Sequence, residues 1–208
     1  SISRRFRRML KDKIKSLSFL KKKILKLKKK GKRIVFTNGC FDLLHYGHAK
    51  YLEDAKAKGD ILIVGVNSDS SVRKIKGSLR PIVKEGYRLK LVAALESVDF
   101  VLKFNEETPL NIIKKIRPDI LVKGSDWSKE KIVGGDFVLN RGGRVLRVKL
   151  CKGLSTTNLI NKIVKTITSI ATEELDTLKD EEDHIDWIES QIDQISQMGI
   201  QNYLAKQV

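Results

Sequence analysis

The sequence predicts an α/β protein: a doubly wound parallel sheet of about five strands, with a basic N-terminal helix and an acidic C-terminal helical tail. Three observations carry this. Short β-rich runs alternate with helix-like segments through the middle of the chain. One run, "ILIVGV" (61–66), is continuously apolar, the mark of a strand buried on both faces. The chain has 208 residues, 41% hydrophobic and 32% charged, which is enough for one sizeable domain plus an appendage.

Three segments are expected, at 1–31, 32–167 and 168–208. In the first, Ile14, Leu17, Leu20, Ile24 and Leu27 recur at three- and four-residue steps, the period of an amphipathic helix. Gly31 is its expected C-cap, and the lysines before it suit the helix dipole. Such a helix packs on the domain and turns a lysine face to solvent. Nucleic acid or an anionic membrane surface are the other uses of that face. No aromatic falls within the lysine run 21–30, so no base-stacking surface and no nucleic-acid partner are expected.

In the second segment "RIVFT", "ILIVGV", "DFVLKF" (99–104), "DILVKG" (119–124) and "RVLRVKL" (144–150) read as strands. Helices are expected near 47–58, 86–96, 108–116, 130–141 and 156–167, with Thr108 as an N-cap and Pro109 in the first helical position. In the third, Leu178, Ile185, Ile188, Ile192 and Ile195 form a helical stripe that Gly199 stops.

The net charge of +17 is unevenly placed. Residues 1–33 hold 16 Lys and Arg against one acid, and residues 168–208 hold two Lys against ten acids. No apolar run approaches the ~18 residues of a transmembrane helix, and no apolar h-region of a secretory signal is visible. Cys40 and Cys151 give neither a disulfide framework nor a zinc spacing, so a cytoplasmic location is expected.

In a doubly wound sheet, ligands bind beyond the carboxyl ends of the strands, where strand order reverses. "TNGCFDLLHYGH", "VNSDSS", "VKGSDW" and "LCKGLSTTN" all follow strands and should converge there. The first holds two of the chain's three histidines, His45 and His48, around Gly47. Zinc needs three or four ligands, and the third histidine, His184, lies in the tail, so no metal ligands are expected. Packing alone is a poor reason for two histidines beside a strand end. Anion handling fits better: Gly47 opens a helix whose free amides and dipole favour phosphate, and imidazoles can donate to phosphoryl oxygens. Gly39 lets the backbone approach a bound phosphate or nucleotide.

"GCFDLLHYGH" (39–48) resembles the GxFDxxHxGH motif of the cytidylyltransferase-like nucleotidyltransferases. The resemblance runs from about residue 14 to 164. It is closest to the branch of the D-glycero-β-D-manno-heptose 1-phosphate adenylyltransferases, through "VNSDSSVRKIKG", "RPI" (80–82), "RLKLVAALESVD", "FNEETP", "PDILVKGSDW", "VGGDFVLNRGGRV" and "GLSTTNLI". HxGH also occurs in class I aminoacyl-tRNA synthetases, whose usual architecture needs a longer chain.

The resemblance implies a Rossmann-like sheet and transfer of AMP from ATP to heptose 1-phosphate, giving ADP-heptose and pyrophosphate for lipopolysaccharide synthesis. It implies Mg2+ carried mainly by phosphate oxygens and water. His45 and His48 would stabilise the transition state at the α-phosphate. Lys74 or Lys76 resembles a mobile-loop lysine that neutralises phosphate charge, with Lys76 favoured beside Gly77. Ser155 and Thr156 resemble a second phosphate-binding element and equally suit a plain N-cap. Thr37, Asn38, Gly39 and Phe41 would line the nucleotide pocket, with Gly124 and Asp126 near base and ribose. Asp42 would sit there too, or brace its own turn. Asn67 and Asp69 would position acceptor or loop. Arg88 would reach a phosphate or an interface acid, and Trp127 is either core or a stacking platform. The relatives that use glycerol phosphate carry an Arg where this chain has Leu150, which points away from a cytidylyltransferase acting on a polyol or amino-alcohol phosphate. The sugar kinase domain of bifunctional relatives is not in this sequence, so a stand-alone enzyme or one fragment is expected, and a homo-oligomer.

Residues 171–208 lie beyond that likeness and resemble the C-terminal part of bacterioferritin. Glu181 and His184 match its Glu-x-x-His iron-ligand pair. A di-iron site needs such pairs from two helices plus further carboxylates, so only a fragment of one is present. A packing or self-association helix is the plainer expectation.

Overall fold

The computed structural model describes residues 12–128, 131–151 and 153–199, with backbone only at 173–176. The first eleven residues of the basic leader, the start of the expected 130–141 helix and residues 200–208 of the tail lie outside the described residues. The chain divides into two compact units, 1–156 and 157–208. The division therefore groups the described part of the leader with the sheet and falls ahead of the expected boundary at 167.

The first unit opens with α1 (Leu17–Lys29). It then runs β1 (Ile34–Gly39), α2 (Tyr46–Lys56), β2 (Ile61–Asn67), α3 (Asp69–Lys76), α4 (Glu85–Ala94) and β3 (Phe100–Phe104). It finishes with α5 (Leu110–Ile116), β4 (Ile120–Gly124), α6 (Gly135–Leu139) and β5 (Arg144–Val148). The strands form one sheet in the order β3-β2-β1-β4-β5, every pair parallel. This is the Rossmann-like doubly wound arrangement that the alternation predicts.

Alternate residues of each strand face opposite sides, and each side has its own core. Val35, Leu62, Val64 and Val101 pack against Tyr51, Leu52 and Ala55 of α2 and against Val92 and Ala93 of α4. Ile34, Phe36, Ile63 and Leu121 pack against Leu20 and Ile24 of α1, Ile112, Ile113 and Ile116 of α5, and Val138 of α6. Burying Leu20 and Ile24 stabilises the docked α1 by roughly 1.5–3 kcal/mol each. Ser16 caps α1, accepting from Phe19 N–H at 3.3 Å. Gly31, at φ +71°, closes a Schellman turn: Lys32 N–H reaches the Leu27 carbonyl and Gly31 N–H the Lys28 carbonyl.

Four expectations shift. Ile14 is not helical; it bridges Val101 beside β3. The segment after β2 is a helix, α3, not a loop, because Ser68 accepts from Ser71 N–H, Asp69 sits in the first turn and Arg73, Lys74 and Lys76 in the last. Pro109, not Thr108, occupies the cap position of α5. The helix foreseen at 130–141 shrinks to α6, because Gly134 at φ +81° breaks the chain before it.

The switch point falls between β1 and β4, the two strands from which the chain winds outward. Their register runs only through Val35↔Ile120 and Phe36↔Leu121. Beyond it side chains bridge the gap. Tyr51 donates its hydroxyl to the Val122 carbonyl (3.2 Å) and accepts the Thr37 hydroxyl (2.6 Å). The strand ends thus open into a crevice.

The second unit is the helix α7 (Thr156–Met198) from residue 157 onward. Gly199 at φ +74° follows it, as foreseen. Val164, Ile167, Leu178, Ile185, Ile188 and Ile192 are exposed along it. No helix among the described residues is long and apolar enough to cross a membrane.

Candidate active site

The crevice is built outward from the end of β1. Phe41 takes a left-handed φ of +47°, which turns the chain sharply out of the strand. Its ring is buried and stands edge-on to His48, centroids 5.3 Å apart. A Cβ on Gly39 would meet that ring at 3.1 Å, so glycine is what lets Phe41 fold back over the strand end.

His45 is the N-cap of α2 and gives it no side-chain cap bond. Its ring lies over the first turn and stacks on His48, centroids 3.9 Å apart at 25°. A Cβ on Gly47 would come within 3.0 Å of the His45 ring and 3.3 Å of Leu154 Cβ. Gly47 therefore makes room for the histidine pair, and Leu154 brings the Ser155–Thr156 segment beside it. Thr156 opens α7.

Three ring nitrogens, His45 Nδ1 and Nε2 and His48 Nδ1, are shielded from solvent without a hydrogen-bond partner. Burial lowers both imidazoles. His48 falls to about 4, chiefly by desolvation and then by its neighbour His45, against a Leu43 backbone bond. Both are neutral near pH 7. Buried polar nitrogens left unmatched are expensive, and the acceptor oxygens of an incoming anion would match all three where the anion's charge favours the protonated rings.

The residues around the pair divide into those that face the crevice and those that hold it. A cavity of about 270 Å³ takes in Asn38, Gly39, Cys40, Asn67, Lys76, Lys123 and Trp127. Trp127 is half-exposed rather than core. Lys76 is exposed on that wall, whereas Lys74 pairs with Glu107 at 3.6 Å. Gly124 ends β4, and a Cβ there would run into the Asp126 carboxylate.

Three of the expected site residues make bracing contacts within the fold. Thr37 is fully buried with its hydroxyl on Tyr51. Asp42 does not brace its own turn. It accepts from Val83 N–H (2.8 Å), Ile82 N–H (3.1 Å) and Arg80 Nε (2.6 Å), clamping the 80–83 segment to the motif. Burial works against its charge, but those donors more than offset it and hold the carboxyl low. Arg88 makes its contacts inside the fold. It is completely buried and donates to the carbonyls of Val83 and Cys40 and to Asp69 at 2.7 Å. Asp69, its partner, starts α3 and donates its N–H to Glu85 at 2.8 Å. Asn67 donates to Ser71 Oγ at 2.9 Å.

Sequence reading did not single out Lys123, Arg80 or Tyr51. Lys123 carried a signal, a charge at the end of a strand buried on both faces. Tyr51 and Arg80 act through contacts distant in sequence and carried none.

No cluster of three or more His, Cys, Asp or Glu able to hold a metal occurs among the described residues. The carboxylate closest in sequence to the histidines, Asp42, is saturated by its three donors. The described residues here do not form a protein-borne metal cage. On α7, Glu181 and His184 lie one turn apart, and the His184 ring meets Trp187 edge-on at 6.4 Å.

A parallel sheet with glycine-tight strand ends and a stacked histidine pair at a helix start defines a nucleotide-handling α/β domain. Residues 36–162 match the model of the cytidylyltransferase-like family, and the chain belongs to that family. Its relatives include the "Bifunctional protein HldE" of Geotalea uraniireducens, 52% identical over 151 residues, 73% of this chain and 31% of that protein. The protein of the same name from Campylobacter fetus is 52% identical over 140 residues, 67% of this chain and 30% of its own. This chain thus spans under a third of the length of the curated relatives it matches. Among solved structures, a lipopolysaccharide core biosynthesis protein from Thermoplasma volcanium superposes with a TM-score of 0.50 at 32% identity, covering 59% of this chain and 98% of that one.

Proposed function

We propose that the first unit transfers AMP from ATP to the phosphate of a heptose 1-phosphate, yielding ADP-heptose and pyrophosphate. The observation that carries this reading is the stacked His45–His48 pair, with three unmatched ring nitrogens at a helix start that follows the end of β1, where Gly39 and Cys40 line a cavity with Lys76 and Lys123. A neutral imidazole offers one N–H, and the charge of a bound triphosphate favours the protonated rings, which donate to phosphoryl oxygens from both nitrogens. The acceptor phosphate is already anionic, so it requires no strong base. One of its oxygens bonds to the α-phosphorus, the bond from that phosphorus to the bridging oxygen breaks, and the electron pair leaves on pyrophosphate. The site's work is alignment and charge neutralisation.

In this reading His45 and His48 hold the triphosphate at the reacting phosphorus, and the amides of the α2 first turn share it with Ser155 and Thr156. Lys76 neutralises the leaving charge from the wall of the cavity. Asn38, Gly39, Phe41, Gly47, Gly124 and Asp126 shape the nucleotide's seat. Thr37, Asp42, Asp69 and Arg88 position that frame, Asn67 faces the cavity, and Lys74 neutralises charge at longer range. Transfer from ATP generally needs a divalent ion; magnesium enters on the triphosphate. The heptose acceptor is supported by the resemblance to heptose 1-phosphate adenylyltransferases and by the relatives' shared name. Two free thiols, Cys40 and Cys151, suit a cytoplasmic setting, and the exposed stripe of α7 suits self-association.

A nucleotide-by-acceptor screen for pyrophosphate release tests the reading. ATP with heptose 1-phosphate and magnesium is the expected productive pair. Turnover of CTP with glycerol phosphate, without turnover of ATP and heptose 1-phosphate, would overturn the branch.

A further inference from the structure

Arg80 and Arg88, two cations behind the crevice, each have a carboxylate: Asp42 at 2.6 Å and Asp69 at 2.7 Å. Lys123 has an amide where those two have an acid. Its Nζ lies 2.5 Å from Asn38 Oδ1 and 3.4 Å from the Asn38 carbonyl, both neutral oxygens. The strand that carries it is buried at Ile120, Leu121 and Val122, and the ammonium ends at the β1–β4 gap. The Trp127 ring stands 5.9 Å away. Burial pushes the ammonium down to about 8, and the nearby Asp126 and Cys40 pull only partly against that. A desolvated cation held by neutral oxygens is short of one negative charge.

The cavity ahead of it supplies a place for that charge. Lys76 stands on the same wall, and Asn67 and Thr108 offer neutral hydrogen-bonding groups. Among the described residues that line it the carboxylate is Glu107, which pairs with Lys74. Two ammoniums among neutral polar groups match a phosphate monoester on a polyhydroxylated carrier. We infer that Lys123 is a substrate-binding residue of the proposed transfer: it anchors the phosphate of the acceptor sugar in this cavity and, with Lys76, aims it at the triphosphate on the histidine pair. Lys123 stays protonated throughout, so no proton moves; the bonds that form and break are those of the transfer itself. The bridge to Asn38 across the strand gap is the resting contact, which the acceptor phosphate replaces or shares. This inference rests on the reading of the site as a nucleotidyltransferase.

The test uses the full chain and its Lys123→Met variant, in which an apolar side chain of similar length fills the same space. Expected is a rise of about tenfold or more in the KM for heptose 1-phosphate, the loss of one charge-assisted hydrogen bond, with the KM for ATP within about twofold. A purely bridging role would leave the acceptor KM unchanged or move both constants together, and either result overturns the inference while the transfer reading stands. Should Lys123→Met not fold, Lys123→Arg carries the same split, because it keeps the charge and moves it. If the wild type transfers to no sugar phosphate, the function reading fails, and calorimetry with inorganic phosphate and with heptose 1-phosphate decides the inference. Binding to wild type that the variant loses supports it. Equal binding, or none to wild type, overturns it.

Discussion

The residue that most repays close reading is His48. Its ordinary value near 6.5 falls to about 4 in the fold. Between those values the unfolded chain holds a proton that the native state refuses. The contribution is therefore full above about pH 6.5 and is lost as pH falls towards 4. The expected slope is about 1.4 kcal/mol per pH unit in that window. Thermal melts from pH 7 to 4 should show it, and His48→Gln should flatten it; an unchanged slope would assign the loss to carboxylates such as Asp42. A polyanion at the pair would raise both imidazoles by supplying countercharge. If the pair meets the transition state as proposed, His48→Ala lowers kcat by about 10²–10³ while the melting temperature at pH 7.5 barely moves. Gly47→Ala tests the same geometry from beneath. Its methyl would crowd the His45 ring and Leu154, so kcat should drop about a hundredfold with little change in fold.

At the scale of elements, the strands were readable and the braces were not. β1, β2 and β4 announce themselves as apolar runs because both faces of a parallel sheet are covered, and the leader's three-four spacing foretold the buried Leu20 and Ile24 of α1. α3 was missed because it buries only Ser71 and Val72, too little for a periodic signal, although its cap, its dipole-matched charges and Gly77 at φ +94° were all in the sequence. The histidines were legible as local chemistry beside a strand end. Arg88 was not, because its meaning depends on Cys40, Asp69 and Val83, which only the fold brings together. From α4 it ties the end of β1, the start of α3 and the 80–83 segment into one frame. Arg88→Ala removes a buried charge and strands Asp69 and two carbonyls. Urea unfolding should therefore show a loss of about 3–5 kcal/mol, the cost of breaking a buried pair. A loss below ~1 kcal/mol would mean that water replaces the guanidinium and that the frame rests elsewhere.

At the scale of the molecule, two features set what the chain does. The first is the early end of the β1–β4 register, which converts the centre of a close-packed sheet into a crevice bridged by Tyr51 and Lys123. The second is the division into two units. Both hydrophobic cores are assembled from residues no later than Val148. The candidate site needs the chain only as far as Thr156. The second unit carries instead exposed apolar side chains from Val164 to Ile192, with Leu178, Ile185, Ile188 and Ile192 spaced by seven, three and four residues, as in coiled-coil seams. Its charge also changes along the helix, from Lys162 and Lys165 to Asp180, Glu182, Asp183, Asp186 and Glu189, so two copies side by side would favour an antiparallel pairing. A chain ended after residue 170 should therefore keep the melting transition of the first unit and its kcat to within about twofold, because both cores and the candidate site are built from residues before that point. Its mass in solution by light scattering should fall to that of a monomer if the stripe mediates self-association, with the full chain larger. A truncated chain that stays associated would move the interface to the first unit. One that loses its transition would show that the folding of the sheet depends on the helix beyond it.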